Sequence, residues 1–116
     1  MVREISKELA PMLVDGASRS SLVLVSVFSG IGEEAFFRGA VQPEFGLVVA
    51  AVLFGILHVG PDRRYLFWTV WAVLAGLLFG GLYAVTGGLL ASMLAHVLHN
   101  TATFLFWKKS RMAAIP

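Results

Sequence analysis

The chain has 116 residues, 58% of them hydrophobic, and a mean hydropathy of +0.81, which exceeds what a water-soluble surface tolerates. The basic residues behind its net charge of +2 are scattered at segment ends, which argues against nucleic acid as a partner. The absence of cysteine excludes disulfides, thiol nucleophiles and cysteine-ligated metals. The composition therefore predicts an integral membrane protein surrounded by lipid.

Four apolar segments follow one another along the chain. They occupy residues 21–37, 45–59, 65–85 and 89–107, and stretches with Gly or Pro separate them at residues 39–43, 60–62 and 86–88. A membrane span needs about 20 residues, so the third and fourth segments qualify, and the first does if it extends by a turn. The second is short and is interpreted as a tilted or re-entrant helix. The predicted fold is an all-α, polytopic membrane helical bundle with about four transmembrane helices.

The segments divide the chain into three predicted parts. Residues 1–20 form an amphipathic or loosely ordered lead-in, residues 21–107 the intramembrane core, and residues 108–116 a basic tail. Four spans place eight of the nine cations on one side: Arg3, Lys7, Arg19, Arg63, Arg64, Lys108, Lys109 and Arg111. The positive-inside rule then predicts that the lead-in, the tail and both termini are cytoplasmic.

Small residues recur every fourth position along the third segment. They are Ala72, Gly76, Gly80 and Ala84, and they form a ridge on one helix face. In lipid, such a ridge lets another helix approach closely. The third segment, which has no Asp, Glu, Lys, Arg or His, is therefore interpreted as scaffold.

Charged and titratable side chains interrupt the other segments, where a charge costs roughly 2.5–3.5 kcal/mol. Glu34 and Arg38 lie four residues apart on one helix face, so we expect a salt bridge between them. Glu33 is rotated by about 100° from Glu34, which leaves its carboxylate free to face another group. One carboxylate is thus predicted to be structural and the other available.

Three histidines lie in the second and fourth segments. His96 and Asn100 share a helix face, whereas His99 points away and is interpreted as bonding a neighbouring helix or snorkelling. At 1.5 Å per residue, Glu33 falls about 18 Å and His96 about 20 Å from the cytoplasmic side, with His58 at about 10 Å. We expect these polar patches to meet in one site if tilt brings His58 deeper.

A carboxylate beside an imidazole in a poorly solvated cavity can act as a general base on water. A second imidazole and a side-chain amide could then stabilise the oxyanion of an attacked amide. Alternatively, the same His and Glu types could bind zinc, which would polarise the water. Any one of these residues alone is explained equally well by packing, but their conjunction favours an enzyme.

Three short motifs carry a family resemblance. Residues 33–39 (EEAFFRG), 54–58 (FGILH) and 96–100 (HVLHN) resemble, in order, the EExxxR, FxxxH and HxxxN/D motifs of the CAAX-protease and bacteriocin-processing (CPBP, Abi-type) family. These are intramembrane endopeptidases related to the eukaryotic prenyl-protein endopeptidase, and the resemblance covers residues 29–103. It implies that Glu33 and His58 activate water, that His96 and Asn100 stabilise the oxyanion, and that Glu34 and Arg38 support them.

The resemblance implies a multi-pass peptidase of a bacterial cytoplasmic membrane that cleaves a peptide bond of a membrane-associated peptide or protein. Both a zinc mechanism, with Glu33, His58 and His96 as ligands, and a metal-free glutamate mechanism are proposed for the family, and the metal-free one is preferred here. Members commonly have further helices before this core. The chain is therefore a minimal member, a fragment, or a subunit that a second copy completes in a homo-oligomer.

Two other classes of function remain as alternatives. The first is a non-catalytic immunity or scaffold protein of the same fold, which keeps the polar cluster for packing or for gripping a partner. The second is a small proton or ion transporter, which is less favoured because the sequence contains no inverted repeat. Intact Glu33, His58, His96 and Asn100 favour the peptidase, because a scaffold could lose any one of them.

Overall fold

The computed structural model describes residues 2–60 and 62–113, with side chains from residue 7 onward. Residue 1, Pro61, the side chain of Arg3 and residues 114–116 of the predicted tail lie outside this description. The helices are α1 (Val2–Val14), α2 (Arg19–Phe36), α3 (Gln42–Phe45), α4 (Leu47–Ile56), α5 (Leu66–Thr86) and α6 (Leu90–Ala113). All regular elements of the described ranges are helical, which confirms the predicted all-α fold.

The break predicted at residues 39–43 is wrong. A π-helical turn, Phe37–Val41, joins α2 to α3, so one continuous helical stretch runs from Arg19 to Phe45. In an α-helix, the ring of Pro43 would clash with the carbonyl of the fourth residue before it. The wider π turn just ahead of Pro43 relieves this clash. The helical stretch ends instead at Gly46, whose φ of +92° suits glycine.

The second apolar segment forms a shorter helix than predicted. α4 has 10 residues and ends at Ile56, and His58 lies in the turn that follows it. A 3₁₀ turn, Arg63–Tyr65, then leads into α5. A helix of about 10 residues is too short to cross a membrane alone, so α4 depends on its neighbours for shelter.

The small-residue ridge of α5 packs against α4 as predicted, except at its end. A Cβ added to Gly76 would lie 3.1 Å from the Cα of Ala51 on α4, so the two backbones are in close contact. Ala72, Gly76 and Gly80 are buried, but Ala84 is exposed. The prediction for Ala84 is wrong because α3 and α4 reach α5 only as far as Gly80, where Gln42 and Leu47 lie.

The predicted lead-in contains a helix that packs on α6. Ala10 and Val14 of α1 are buried together with Leu22, and Phe104 and Trp107 of α6 pack against them. α6 continues past residue 107 to Ala113, so the basic tail begins inside a helix.

Polar contacts fasten α1 at its middle and just after its end. In the middle, Glu8 accepts hydrogen bonds from Arg64 and from the hydroxyl of Tyr65, the latter at 2.9 Å. Just after the end, Arg111 of α6 donates to Asp15 at 2.7 Å. These contacts gather Arg64 and Arg111 at one end of the bundle, in agreement with the one-sided count of cations. The side of the membrane that this end faces stays a prediction.

The outer surface of the bundle is apolar. Two helical stretches of the described residues are long and apolar enough to cross a membrane, Arg19–Phe45 with 27 residues and Arg63–Thr86 with 24. Large apolar side chains are exposed around the bundle, among them Leu24, Phe28, Val52, Leu78, Leu98 and Phe106. Such a surface suits lipid and confirms a helical membrane bundle. The count of four spans stays a prediction.

Candidate active site

Glu34 and Arg38 form the buried base of the candidate site. Neither side chain is exposed, and Nη1 of Arg38 donates to Oε1 of Glu34 at 3.1 Å, which confirms the predicted salt bridge. Oε1 of Glu34 also lies 2.7 Å from Nδ1 of His96, a contact between α2 and α6 that the sequence did not predict. Because a carboxylate paired with arginine only accepts hydrogen bonds, Nδ1 of His96 carries a hydrogen.

Arg38 in the π turn and Gln42 directly after it both donate hydrogen bonds to the ridge of α5. Nη2 of Arg38 donates to the carbonyl oxygen of Gly76 at 2.5 Å, and Nε2 of Gln42 donates to that of Gly80 at 3.0 Å. Each carbonyl oxygen has a second lone pair beyond its helical bond, and glycine leaves that lone pair uncovered. The role of Gln42 was not predicted, although this residue continues the four-residue spacing of Glu34 and Arg38. The ridge therefore supplies acceptors to buried donors as well as close packing.

Three phenylalanine rings surround the guanidinium group of Arg38. Its central carbon lies 5.1 Å from the ring centroid of Phe54, 5.8 Å from that of Phe79 and 5.9 Å from that of Phe37. Cation–π attraction is worth about 2 kcal/mol when the cation is desolvated, so it offsets part of the cost of burying this charge. The rings also keep water away from the Glu34–Arg38 pair.

Glu33 is the carboxylate that faces open space. Its side chain is 35% exposed, and its Oε2 lies 3.1 Å from Nε2 of His96, so the histidine bridges both glutamates. With one hydrogen already on Nδ1, a favourable contact between Nε2 and Glu33 needs one further proton, on Nε2 or on the carboxyl group. Phe79 stacks on the imidazole with ring centroids 4.7 Å apart and holds it between the carboxylates.

A cavity of about 310 Å³ lies beside these residues. The four predicted catalytic side chains, Glu33, His58, His96 and Asn100, all line it. Most of the remaining wall is apolar and includes Leu9 and Leu13 of α1. The helical bundle therefore brings residues that are up to 67 positions apart in the chain to the wall of one cavity.

His58 presents one nitrogen as a free acceptor. Its Nδ1 lies 2.6 Å from the carbonyl oxygen of Phe54, and since a carbonyl only accepts, Nδ1 carries the hydrogen. In the neutral ring, Nε2 then has an unprotonated lone pair. Phe54 and Trp68 contact the ring, with centroids 4.4 and 5.8 Å away. His58 thus has the tautomer that a base requires.

Asn100 belongs to a second hydrogen-bonded group. Its Nδ2 donates to Oγ of Ser29 on α2 at 3.2 Å, and its Oδ1 lies 3.5 Å from Nδ1 of His99. Trp71 of α5 donates from Nε1 to Nε2 of His99 at 3.1 Å. The prediction that His99 bonds a neighbouring helix is therefore confirmed. His99, Ser29 and Trp71 also line the cavity, which their sequence positions alone did not indicate.

The predicted zinc ligands are not arranged around a common point. A zinc site needs three or four ligands about one position. Among residues 2–60 and 62–113, no group of three His, Asp or Glu side chains could hold a metal ion in this arrangement. The present geometry of these residues therefore does not fit zinc.

The arrangement combines groups that can move protons with groups that can donate hydrogen bonds. Glu33 contacts Nε2 of His96, His58 has a free lone pair, and Asn100 has amide hydrogens, all on the wall of one cavity. Buried Glu34 and Arg38 hold His96 from behind. Such a set can activate water and stabilise developing negative charge.

Comparison with known proteins identifies a family. The sequence profile of the type II CAAX prenyl endopeptidase Rce1-like family matches residues 16–102, whereas no curated protein and no solved structure matches the chain. The matched range contains every residue of the three motifs, from Glu33 in the first motif to Asn100 in the third. It thereby confirms the resemblance and supports peptidase activity in membranes at the level of the family. The chain belongs to the type II CAAX prenyl endopeptidase Rce1-like family.

Proposed function

We propose that this chain is an intramembrane endopeptidase that hydrolyses a peptide bond of a membrane-associated peptide or protein. The proposal depends most on one observation, the contact of Glu33 with His96 at the wall of a cavity that His58 and Asn100 also line. Membership of a family of CAAX endopeptidases supports the reaction class. The apolar wall of the cavity suits a substrate segment that arrives from the membrane.

Glu33 is the proposed general base. A water molecule in the cavity gives a proton to Glu33 while its oxygen attacks the carbonyl carbon of the scissile bond. Nε2 of His58 can accept a hydrogen bond from the same water, because Nδ1 carries the ring hydrogen. The attack opens the carbonyl double bond to a tetrahedral oxyanion. As the carbon–nitrogen bond breaks, Glu33 returns the proton to the leaving amine.

His96 and Asn100 are the proposed oxyanion donors. Asn100 has two amide hydrogens, and Ser29 accepts one of them, so the second is available to the cavity. His96 donates from Nε2 when the proton between His96 and Glu33 lies on that nitrogen. Glu34 prevents the ring from turning by holding Nδ1. Loss of one such donor typically lowers kcat by about 10²–10³-fold.

The test is cleavage of a quenched fluorescent peptide library by the purified protein in lipid nanodiscs. Glu33→Gln should reduce cleavage by roughly 10²–10⁴-fold, the contribution of a general base, while the thermal unfolding midpoint stays near that of wild type. The matched control is Glu44→Gln, the same chemical change on an exposed side chain of α3. Glu44→Gln should cleave as fast as wild type.

Each result has a distinct meaning. Equal activity of Glu33→Gln and wild type would refute Glu33 as the base. Activity lost with a strong chelator and restored by zinc would replace the metal-free mechanism with one in which the histidines bind metal. A folded wild-type protein that cleaves no peptide in the library would refute the proposal in favour of a non-catalytic immunity or scaffold protein.

A further inference from the structure

Trp71 decides which nitrogen of His99 carries a hydrogen. An indole nitrogen donates and never accepts, so its 3.1 Å contact with Nε2 of His99 requires a lone pair on that nitrogen. The neutral imidazole has one hydrogen, which must then be on Nδ1. His99 is therefore fixed as the Nδ1–H tautomer by a residue on a different helix.

The tautomer of His99 in turn decides the orientation of the Asn100 amide. Nδ1 of His99 lies 3.5 Å from Oδ1 of Asn100, at the long end of a hydrogen bond. With a hydrogen on Nδ1, this approach is attractive only if the amide oxygen faces it. The amide nitrogen then points to Ser29, at 3.2 Å, and to the cavity. If the amide were reversed, its NH₂ group would face the N–H of His99 at Nδ1, and two donors would lie together.

Packing keeps this group of side chains in place. The rings of Trp71 and His99 are nearly parallel, with an interplanar angle of 27°, and Phe79 meets His99 edge-on with ring centroids 6.2 Å apart. Trp71 lies on the apolar outer part of α5, where lipid offers no other acceptor to its N–H. Nε2 of His99 is thus the acceptor that removes the cost of an unbonded donor in lipid.

We propose that Trp71 and His99 are positioning residues that keep the amide nitrogen of Asn100 turned toward the reacting carbonyl. This inference rests on the proposed function, in which Asn100 donates to the oxyanion. Neither Trp71 nor His99 touches the reacting atoms; they act through Asn100. With the amide reversed, its oxygen would face the oxyanion and repel it, so the orientation has a direct effect on the rate.

The first experiment reads the tautomer directly and needs no activity. The chain has three histidines, so a ¹⁵N NMR spectrum of the imidazoles in lipid has few signals, and the spectrum of His99→Gln assigns those of His99 by difference. Wild type should show His99 with a protonated Nδ1 and an unprotonated Nε2. Trp71→Phe removes the indole donor and should populate the other tautomer. A protonated Nε2 in wild type would overturn the inference whether or not the protein is a peptidase.

The second experiment measures cleavage rates. Trp71→Phe should lower kcat by about 5–10-fold, a fraction of the loss for a deleted oxyanion donor, with KM unchanged. In an Asn100→Ala background, Trp71→Phe should have no further effect, because the group that it orients is gone. The control is Tyr83→Phe, which removes one polar ring substituent from the same helix and should leave the rate unchanged.

Several outcomes would overturn the inference. Equal losses from Trp71→Phe with and without Asn100 would show that Trp71 acts on its own, and a change in KM alone would indicate substrate binding. If Trp71→Phe does not fold, His99→Asn and His99→Leu replace it, since asparagine keeps an amide donor near the position of Nδ1. Equal rates of these two variants would likewise contradict the proposal. A wild type without activity would refute the proposed function and, with it, the catalytic meaning of this orientation, while NMR still reports the tautomer.

Discussion

Two groups of ion pairs in this molecule have the same chemistry and opposite surroundings. In the middle of the bundle, Glu34 and Arg38 are bonded at 3.1 Å with no exposure of either side chain. At the end of the bundle, Asp15 and Arg111 are bonded at 2.7 Å with side chains 45% and 38% exposed. The shorter ion pair is the more exposed one, so distance alone does not rank the contributions of the two pairs to stability.

The difference lies in what each charge would do without its partner. Water can solvate Asp15 if Arg111 is removed, and exposed pairs of this kind contribute roughly 0–1 kcal/mol. Glu34 has no such replacement, because Phe37, Phe54 and Phe79 exclude water around its partner. Burying an ion pair is costly even when it is complete, so its presence points to a use beyond stability, here the holding of His96.

The strongest test of this contrast removes one buried partner. Arg38→Ala should destabilise the protein by about 3–5 kcal/mol, because it leaves Glu34 as a buried charge that only His96 can neutralise. Reversible unfolding in mixed detergent micelles measures the change. Arg64→Ala, which removes an exposed arginine, is the control and should have a much smaller effect. Equal unfolding free energies for Arg38→Ala and wild type would contradict the account of the buried pair.

The ridge of α5 offers a test of intermediate size. Gly76→Ala should destabilise by about 1–3 kcal/mol, because the new methyl group would lie 3.1 Å from Cα of Ala51 and 3.2 Å from Nη2 of Arg38. Gly81→Ala is a matched control on the same helix, with no atom within 4 Å of the added Cβ, and should be neutral or stabilising by up to about 1 kcal/mol. Thermal unfolding of both variants compares them. A more stable Gly76→Ala would show that the ridge is not closely packed.

The smallest effect should come from the exposed pair and should depend on pH. The hydrogen bond from Arg111 lowers the pKa of Asp15 below its usual value of 3.8. A carboxyl group whose pKa is lowered by folding stabilises the folded state above its unfolded pKa, and this contribution is lost as pH falls through the folded pKa. Asp15→Asn should therefore be slightly less stable than wild type at pH 6, and this difference should shrink as the pH falls below 3.8. A difference that grows toward low pH would contradict this assignment.

Contacts within one helix could be predicted from the sequence. The spacing of Glu34 and Arg38 gave their salt bridge, and the small residues at 72, 76 and 80 gave the close packing of α5. Helix geometry fixes which side chains share a face, so such predictions need only the period of the helix. Similar depths also allowed Glu33 and His96 to be placed in the same layer of the bundle.

Contacts between helices, and departures from the α period, could not be predicted in the same way. The sequence grouped His96 with Asn100, whereas the structure bonds His96 to the two glutamates and Asn100 to Ser29. Helix rotation about its own axis decides such contacts, and periodicity does not determine that rotation to within one residue. Gly39 and Pro43 were interpreted as a break because both usually end helices, and the π turn that accommodates them has no simple sequence signature.

The π turn amounts to one residue inserted into the helical stretch. The insertion changes the direction in which side chains point about the helix axis, so this direction differs before and after the turn. Residues before it keep the rotation that sets Glu33 and Glu34 against α6, whereas Gln42 after it keeps the rotation that reaches Gly80 of α5. Side chains before and after the turn thus reach different neighbours. Arg38 lies within the turn and bonds toward both, to Glu34 and to Gly76, so the change of direction falls at the one side chain that connects the two halves.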